Sequence, residues 1–373
     1  MKKFHFKKIY SFFILFVSIH SVFGQTDVLS KNAKVSLITC DTGTESYSLF
    51  GHTALRITDV EKNLDVVYNY GAFDFSTPNF VAKFSKGDLQ YFVTAYPFSD
   101  FLAQYIYERR SVYEQELQLP MVYKQKLFEN LNTILSTDQR FYTYKFIDKN
   151  CTSMVVDVLN TTLEKTIITK KTDTNQTYRS ILYPYFDGFF YEKLGTSIIF
   201  GTKVDQYGTR IFLPLELHKS IKTIQFNNQP LCKESVTLLD FKKSITNSWW
   251  NNIYSLLLIL GFIVFLNHRK LDSIYLFIIG LLGLFFGFMG FYSNHQELTT
   301  NYNMLLFNPI LLLLLYFQIV KNKKWVLYCS YFSFFLLASY TLFMIDKVHL
   351  ALVAPLIVTN SIVLIRIIVR NRN

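Results

Sequence analysis

The sequence predicts an α+β domain followed by an all-α, five-helix transmembrane domain. Three observations carry this expectation. Strand-like runs cluster early in the chain and helix-like runs follow them, the order of an α+β fold. Past residue 248 the chain is mostly apolar and holds five stretches of membrane length. Basic residues flank those stretches instead of gathering on one face. The 373 residues suffice for two units, and a 50% hydrophobic content is high for a wholly soluble protein.

Residues 1–24 read as a secretory signal. Lys2, Lys3, Lys7 and Lys8 precede an apolar run at 9–17, and Val22-Phe23-Gly24 supplies a small residue at the cleavage point. An uncleaved signal anchor is the alternative, and either reading puts the next domain outside the cytoplasm. Gln25 follows Gly24, with no Cys there for a lipoprotein signal. Residues 25–248 form the candidate catalytic domain. Alternation predicts strands at 34–40, 53–58, 65–70 and 112–119. Helical spacing at Phe101, Leu102, Tyr105 and Ile106 predicts a helix over 98–108. Further helices are expected at 121–136, with Pro120 near its start, and at 152–161. Residues 249–373 form the membrane domain, with spans at 250–266, 273–292, 304–320, 325–344 and 348–369.

The net charge of +11 invites a nucleic-acid reading, but its distribution opposes one. Residues 25–248 hold 25 Lys+Arg against 24 Asp+Glu. The excess lies in the first eight residues and after residue 248, beside apolar spans. That is a topology signal, not the basic face of a phosphate-backbone binder. Arg269-Lys270, then Lys321, Lys323 and Lys324, then Arg370 and Arg372 assign two connections and the C-terminus to the cytoplasm. The domain before the first span then emerges outside, in agreement with the signal peptide.

Two residues stand out chemically. Cys151 lies in Asn150-Cys151-Thr152-Ser153, which reads as a capped helix start. The unpaired amides and dipole there favour a thiolate. His52 follows Gly51 where a turn enters a strand, placed to accept the thiol proton and return it to a leaving group. The His precedes the Cys by about a hundred residues, the reverse of papain order, as in a circularly permuted version of that site. Taken singly, a buried structural thiol and a satisfied strand histidine remain the plainer readings. A base needs an orienting partner; Asn69 is the candidate, with Asp148 and Asp157 as alternatives. Arg109-Arg110 and Arg179 are candidates to hold a lipid phosphate, or else form ordinary ion pairs. The aromatics between Phe73 and Tyr107 are dense enough to line an acyl channel and equally suit a core. Asn294-His295-Gln296, Asn301, Asn303 and Asn308-Pro309 place polar groups in or beside apolar spans, where Pro309 marks a break. Zincin, Walker, dinucleotide and Gly-x-Ser-x-Gly motifs are absent from the sequence, so no metal or cofactor is expected. Four cysteines, Cys40, Cys151, Cys232 and Cys329, leave open whether Cys40 pairs with Cys232.

Together these segments resemble the Lnb-type lipoprotein N-acyltransferases, which join an N-terminal periplasmic catalytic domain to a C-terminal membrane domain. The matching stretches are Val35-Ser36-Leu37-Ile38-Thr39-Cys40 with Gly43, and Tyr47-Ser48-Leu49-Phe50-Gly51-His52-Thr53-Ala54-Leu55-Arg56. Tyr68-Asn69-Tyr70-Gly71-Ala72-Phe73-Asp74-Phe75 and Arg110-Ser111-Val112 with Glu114-Gln115 also match. So do Asn150-Cys151-Thr152, Tyr178-Arg179, Phe212-Leu213-Pro214 and the stretch from His295 to Pro309. The resemblance implies a permuted papain-like fold, related to the NlpC/P60 and lecithin:retinol acyltransferase group. It implies that Cys151 takes an acyl chain from a membrane phospholipid as a thioester. The chain then passes to the α-amine of a diacylglyceryl-cysteine lipoprotein, with His52 as base and Asn69 as its partner. Arg110, Arg179, Tyr70, His295 and Asn303 complete the implied substrate-binding set. The expected location is the bacterial inner membrane, multi-pass, with the catalytic domain in the periplasm and no nucleic-acid partner. Asp41-Thr42-Gly43 replaces the family's Pro before Gly, Lys149 separates Asp148 from Asn150, and Ser153-Met154 stands where Arg is common. These departures count against Asp148 as a partner and leave Cys151 intact. The rivals are a membrane-anchored cysteine peptidase or amidase acting on cell-wall peptide, and a non-enzymatic receptor or scaffold.

Overall fold

The computed structural model describes residues 28–242 and 248–372, so the signal segment lies outside the described residues. The N-terminal unit is built on a seven-stranded antiparallel sheet. Its strands are β1 (Lys34–Cys40), β2 (His52–Asp59), β3 (Leu64–Ala72), β4 (Gln90–Pro97), β5 (Val112–Glu116), β6 (Phe141–Thr143) and β9 (Val236–Leu239). Their order is β6-β4-β3-β2-β1-β5-β9, and a two-stranded ribbon, β7 (Gln225–Phe226) with β8 (Gln229–Pro230), stands apart. Helix α1 (Phe80–Lys86) joins β3 to β4, and α2 (Phe98–Glu108) follows β4. Helices α3 (Met121–Ser136) and α4 (Cys151–Thr162) come next.

Both faces of the sheet are covered. Alternation along β1 and β2 sends Leu37, Leu55 and Ile57 to a core shared with Leu127 and Leu131 of α3 and Val155 and Leu159 of α4. The intervening Ile38, Ala54 and Val67 pack on Phe101 and Tyr105 of α2. Burying these side chains contributes about 1.5–3 kcal/mol for each large aliphatic or aromatic residue. The result is a mixed α/β unit of three layers, with α4 at the middle of one face.

Several elements lie where alternation and helical spacing put them, among them Lys34–Cys40, Phe98–Glu108 and Met121–Ser136. The strand expected over 112–119 ends at Glu116; beyond it Leu117 makes only a single bridge to Cys232, and Pro120 then starts α3. Strand β4 falls inside the aromatic run that the sequence reading left between channel and core. Its alternating buried Tyr91 and Val93 are visible only once β3 and β6 flank it.

After α4 come α5 (Tyr178–Leu182), α6 (Phe190–Ile199) and α7 (Pro214–Ile221), then the apolar region. That region holds α8 (Ile253–Leu266), α9 (Arg269–Tyr292), α10 (Ile310–Ile319), α11 (Lys323–Phe343) and α12 (Leu350–Arg372). Among the described residues, α9, α11 and α12 are each long and apolar enough to cross a membrane. A fourth span arises if the bent pair Gln296–Leu305 and α10, at 43° to each other, is counted as one. Helix α8 is apolar but shorter. The bend lies at Asn308-Pro309, where Pro removes a backbone donor and Ser333 donates to Asn308 Oδ1 at 3.2 Å. Gly283 makes the tight approach here possible, because a Cβ on it would lie 1.7 Å from the Phe307 carbonyl oxygen.

Candidate active site

The site forms where the sheet splits. β2 and β3 pair only as far as Ala54 opposite Asn69, although β2 begins at His52 and β3 runs on to Ala72. β3 bulges between Tyr70 and Ala72 against β4. His52 shares the α2 face with Ala54 and sits diagonal to Asn69. Helix α4 packs on the opposite face. Thiol and imidazole meet because the ladder has ended between them. Gly71, at φ +106°, lies against both: a Cβ there would be 3.6 Å from Cys151 Cβ and 3.7 Å from His52 Cε1.

Cys151 is the first residue of α4, and the cap is complete. Asn150 Oδ1 accepts from the amides of Thr152 (2.9 Å) and Ser153 (3.0 Å), and Ser153 Oγ accepts from the Asn150 amide (2.9 Å). Asn150 Nδ2 donates to the Phe146 and Phe212 carbonyls at 2.7 and 2.9 Å. The Phe212-Leu213-Pro214 segment thereby braces the cap. Thr53 and Thr152 join hydroxyls at 3.0 Å, fixing the helix start to β2.

Burial alone would raise the Cys151 thiol, but the net direction is down. The His52 charge, a hydrogen bond to its ring, the Thr53 amide and the Thr152 hydroxyl outweigh burial. Burial pulls His52 down, and the Cys151 thiolate, its hydrogen bond and Asn69 raise it above its ordinary value. Both shifts favour the thiolate–imidazolium form of the pair. Asn69 Oδ1 accepts from His52 Nε2 at 2.5 Å while Asn69 Nδ2 donates to the Tyr96 hydroxyl at 3.0 Å. Nε2 therefore carries its proton toward Asn69, and Nδ1 is left for the thiol. Asp148 and Asp157 pair instead with Lys203 (3.5 Å) and Arg210 (2.8 Å). The other thiols differ sharply. Cys40, opposite His52 across β1 and β2, is pushed up to about 12 by burial. Cys232 is also raised by burial, and all four cysteines are free, so Cys40 and Cys232 are not bonded.

Tyr70 directly precedes Gly71, which lies against this pair. It is fully buried, and its hydroxyl, like that of Tyr142, has no hydrogen-bond partner among the described residues. The Tyr142 oxygen stands 4.0 Å from the Gly71 Cβ position, beside the thiol and imidazole.

Of the remaining expected binding residues, Arg110 lies near enough for its charge to act on His52, and the others sit at the junction with the apolar region. Arg110 is buried, donating to the Asp41 carbonyl (2.8 Å) and to Glu108 (2.7 Å) and lying over the Tyr105 ring. Arg179 pairs with Asp205 at 2.6 Å and donates to the Ser197 carbonyl (2.9 Å) and the Tyr302 hydroxyl (3.2 Å). It joins the N-terminal unit to the apolar region, and a lipid phosphate would have to displace Asp205. His295 Nε2 donates to the Phe84 carbonyl at 2.9 Å. Asn303 is buried between Asn301 Oδ1 (2.8 Å) and the Tyr340 hydroxyl (2.8 Å). Both stitch the two parts together. These contacts give all four residues structural roles, while the buried Arg110 Nη2 and His295 Nδ1 have no hydrogen-bond partner among the described residues.

One contributor escaped the sequence reading. Glu297, fully buried, accepts from the Ile147 amide at 3.2 Å, in the turn that leads to Cys151. Lys145 of that turn also donates to the Asn294 carbonyl at 3.1 Å. The available signal was an acid in an otherwise apolar half that holds only three.

A capped thiol, an imidazole and a carboxamide, on an α/β unit tied to apolar helices, define a membrane protein with a thiol–imidazole site. The model of the Lnb N-terminal periplasmic domain matches residues 22–183, and that of the Lnb transmembrane domain matches residues 254–371. The chain belongs to the Lnb family, with a periplasmic N-terminal domain followed by a transmembrane domain. No curated protein and no solved structure matches it significantly.

Proposed function

We propose that this protein is a lipoprotein N-acyltransferase of the bacterial inner membrane, with a permuted papain-like catalytic domain. One observation carries the reading: a helix-start thiol, lowered by His52, whose ring is oriented by Asn69. The Lnb domain pair supports it.

Cys151 thiolate attacks an ester carbonyl of a phospholipid. The C–S bond forms, the ester C–O bond breaks, and the lysophospholipid oxygen leaves with the proton of the His52 imidazolium. The α-amine of a diacylglyceryl-cysteine lipoprotein then attacks the thioester. The C–N bond forms, neutral His52 takes the amine proton, and the C–S bond breaks to restore thiolate and imidazolium. The unpartnered Tyr142 hydroxyl, beside Cys151 and His52, is a donor available to the carbonyl oxygen as it becomes negative. No cofactor is required.

On this reading residues 1–24 are the signal, 25–248 the catalytic domain and 249–373 a five-crossing domain, with α8 and the bent pair each crossing once. Arg269, Lys321, Lys323 and Arg370 line one cavity, while the opposite end of α9 bonds to α1, which supports a positive end in the cytoplasm.

The test is mass spectrometry of lipoprotein N-terminal peptides in a host depleted of its own N-acylation. Expression should convert free α-amino forms to N-acylated ones, and Cys151→Ser should abolish conversion. Folded wild-type protein that converts none defeats the reading, and cleavage of cell-wall peptide in its place would favour the amidase.

A further inference from the structure

The stretch from Phe73 to Lys86 leaves β3 directly beyond Gly71. Phe75 is 70% exposed, Val81 73% and Phe84 42%, and no residue of α1 is buried. Three large apolar side chains left open within ten residues mark a contact surface. What covers it follows from what the segment rests on. The Tyr292 hydroxyl donates to the Ala82 carbonyl (3.4 Å), Ser293 Oγ to Ser85 (2.7 Å), the Asn294 amide to Lys86 (2.7 Å) and His295 to Phe84. Helix α1 is thus fastened by its backbone to the end of α9, a membrane-length helix, leaving the Val81 and Lys83 side chains exposed. At that end Phe291 is 95% exposed, and exposed Phe288 stacks on Tyr292 at 5.1 Å. The apolar surface of α9 continues through this pair onto α1. Lys83, also exposed, adds positive charge beside it, while Lys86 is paired with Asp88.

Behind the exposed residues a series of rings runs inward. Phe75 meets Phe73 at 4.8 Å, Phe73 meets Tyr91 at 5.0 Å, and Tyr91 meets Tyr142 at 6.2 Å. Tyr142 ends the series beside Cys151 and His52.

We propose that Phe75, Val81 and Phe84 penetrate the outward leaflet of the membrane, with Lys83 against its phosphates. The Phe73–Tyr91–Tyr142 series then conducts a lipid acyl chain from that leaflet to Cys151. A chain leaving a bilayer through water exposes its whole length, and contact with the apolar ring series lowers that cost. An amphipathic element at the interface is the usual way to open such a path. The conducting role rests on the acyltransferase reading; the insertion does not.

The experiment uses the full chain in nanodiscs of phosphatidylethanolamine and phosphatidylglycerol. A solvatochromic nitrobenzoxadiazole label is placed on Val81→Cys in a Cys151→Ser background, where the other three thiols are buried. Val81 should give blue-shifted emission quenched by lipids carrying a nitroxide near the glycerol end of the chain. Tyr107→Cys, exposed on α2, should stay water-like. Water-like emission at position 81 overturns the insertion. So does a blue shift that needs two copies per disc and ignores nitroxide lipid, since a second copy is then the occupant. In turnover, Phe75→Ser/Val81→Ser should lower the ratio of rates on bilayer and detergent-dispersed lipid about tenfold, with Phe75→Leu/Val81→Leu restoring it. Equal loss on both lipids overturns the conducting role. Were wild-type protein to transfer no acyl chain at all, the acyltransferase reading would fall while the quenching still decides insertion.

Discussion

Replacing Asn69 by Ala tests the site where its geometry is most specific. Asn69 Oδ1 is the acceptor that fixes the His52 proton on Nε2 and so leaves Nδ1 for Cys151. It is also one of the contacts that raises the His52 pKa. Hydrogen bonds to a charged group contribute about 1.5–3 kcal/mol. At about 1.4 kcal/mol per tenfold, the loss in kcat/KM should be about 10- to 100-fold. The pH profile should change with a defined sign. Activity needs thiolate and imidazolium together, so it rises with pH through the lowered Cys151 pKa and falls through the raised His52 pKa. Without Asn69 the imidazolium is less favoured. The falling limb then moves to lower pH, and the rising limb, which depends on that imidazolium, moves up. The bell narrows from both sides. The assay is kcat/KM by mass spectrometry of the acylated lipoprotein, paired with iodoacetamide alkylation of Cys151 across pH. Tyr96→Phe, which touches only the far side of the Asn69 amide, is the control and should change both readouts less. An unshifted alkylation profile together with a rate within about twofold of wild type would refute the orienting role.

Other outcomes follow from the same geometry. Iodoacetamide near neutral pH should modify Cys151 well ahead of Cys40 and Cys232, whose thiols burial pushes up, as read by peptide mapping of folded protein. Glu297→Ala should cost about 1–3 kcal/mol in thermal unfolding by leaving the buried Ile147 amide unpaired, and Glu297→Gln, which keeps an acceptor, should recover most of it. Arg179→Ala should destabilise by about 3 kcal/mol because it removes a buried guanidinium and leaves the partly buried Asp205 with only the Tyr302 hydroxyl, and Arg179→Lys, a point charge without the planar fork, should recover only part. If Arg179→Ala keeps its melting temperature but loses affinity for lipid, Arg179 holds phosphate after all.

How far the chain could be read depended on how local each feature is. The β1 and α3 boundaries follow from side-chain alternation and helical spacing within a few residues, so they were legible. The cap on Cys151 was legible too, since Asn150 and Ser153 are three apart and serve the same turn. β4 was not, because its aromatic run fits core, channel or strand until β3 and β6 are beside it. Arg179 read as a phosphate holder because a guanidinium can grip phosphate with two bonds, and His295 and Asn303 read as functional because polar groups beside membrane spans are costly. Their partners, Asp205, the Phe84 carbonyl and Tyr340, lie 26, 211 and 37 residues away, and no local pattern announces them.

The sequence by itself determined the two-part layout and its charge polarity, because apolar length and flanking Lys and Arg act locally on how a chain meets a membrane. It also determined that Cys151 starts a helix and that His52 starts a strand. Only the tertiary structure decided that they meet. Their contact depends on β3 parting from β2 beyond Asn69, and on Thr53 and Phe212 holding the start of α4 in the gap. It decided as well that Asn69 orients the imidazole rather than Asp148 or Asp157, because hydrogen bonding acts over about 3 Å and sequence separation carries no information at that scale.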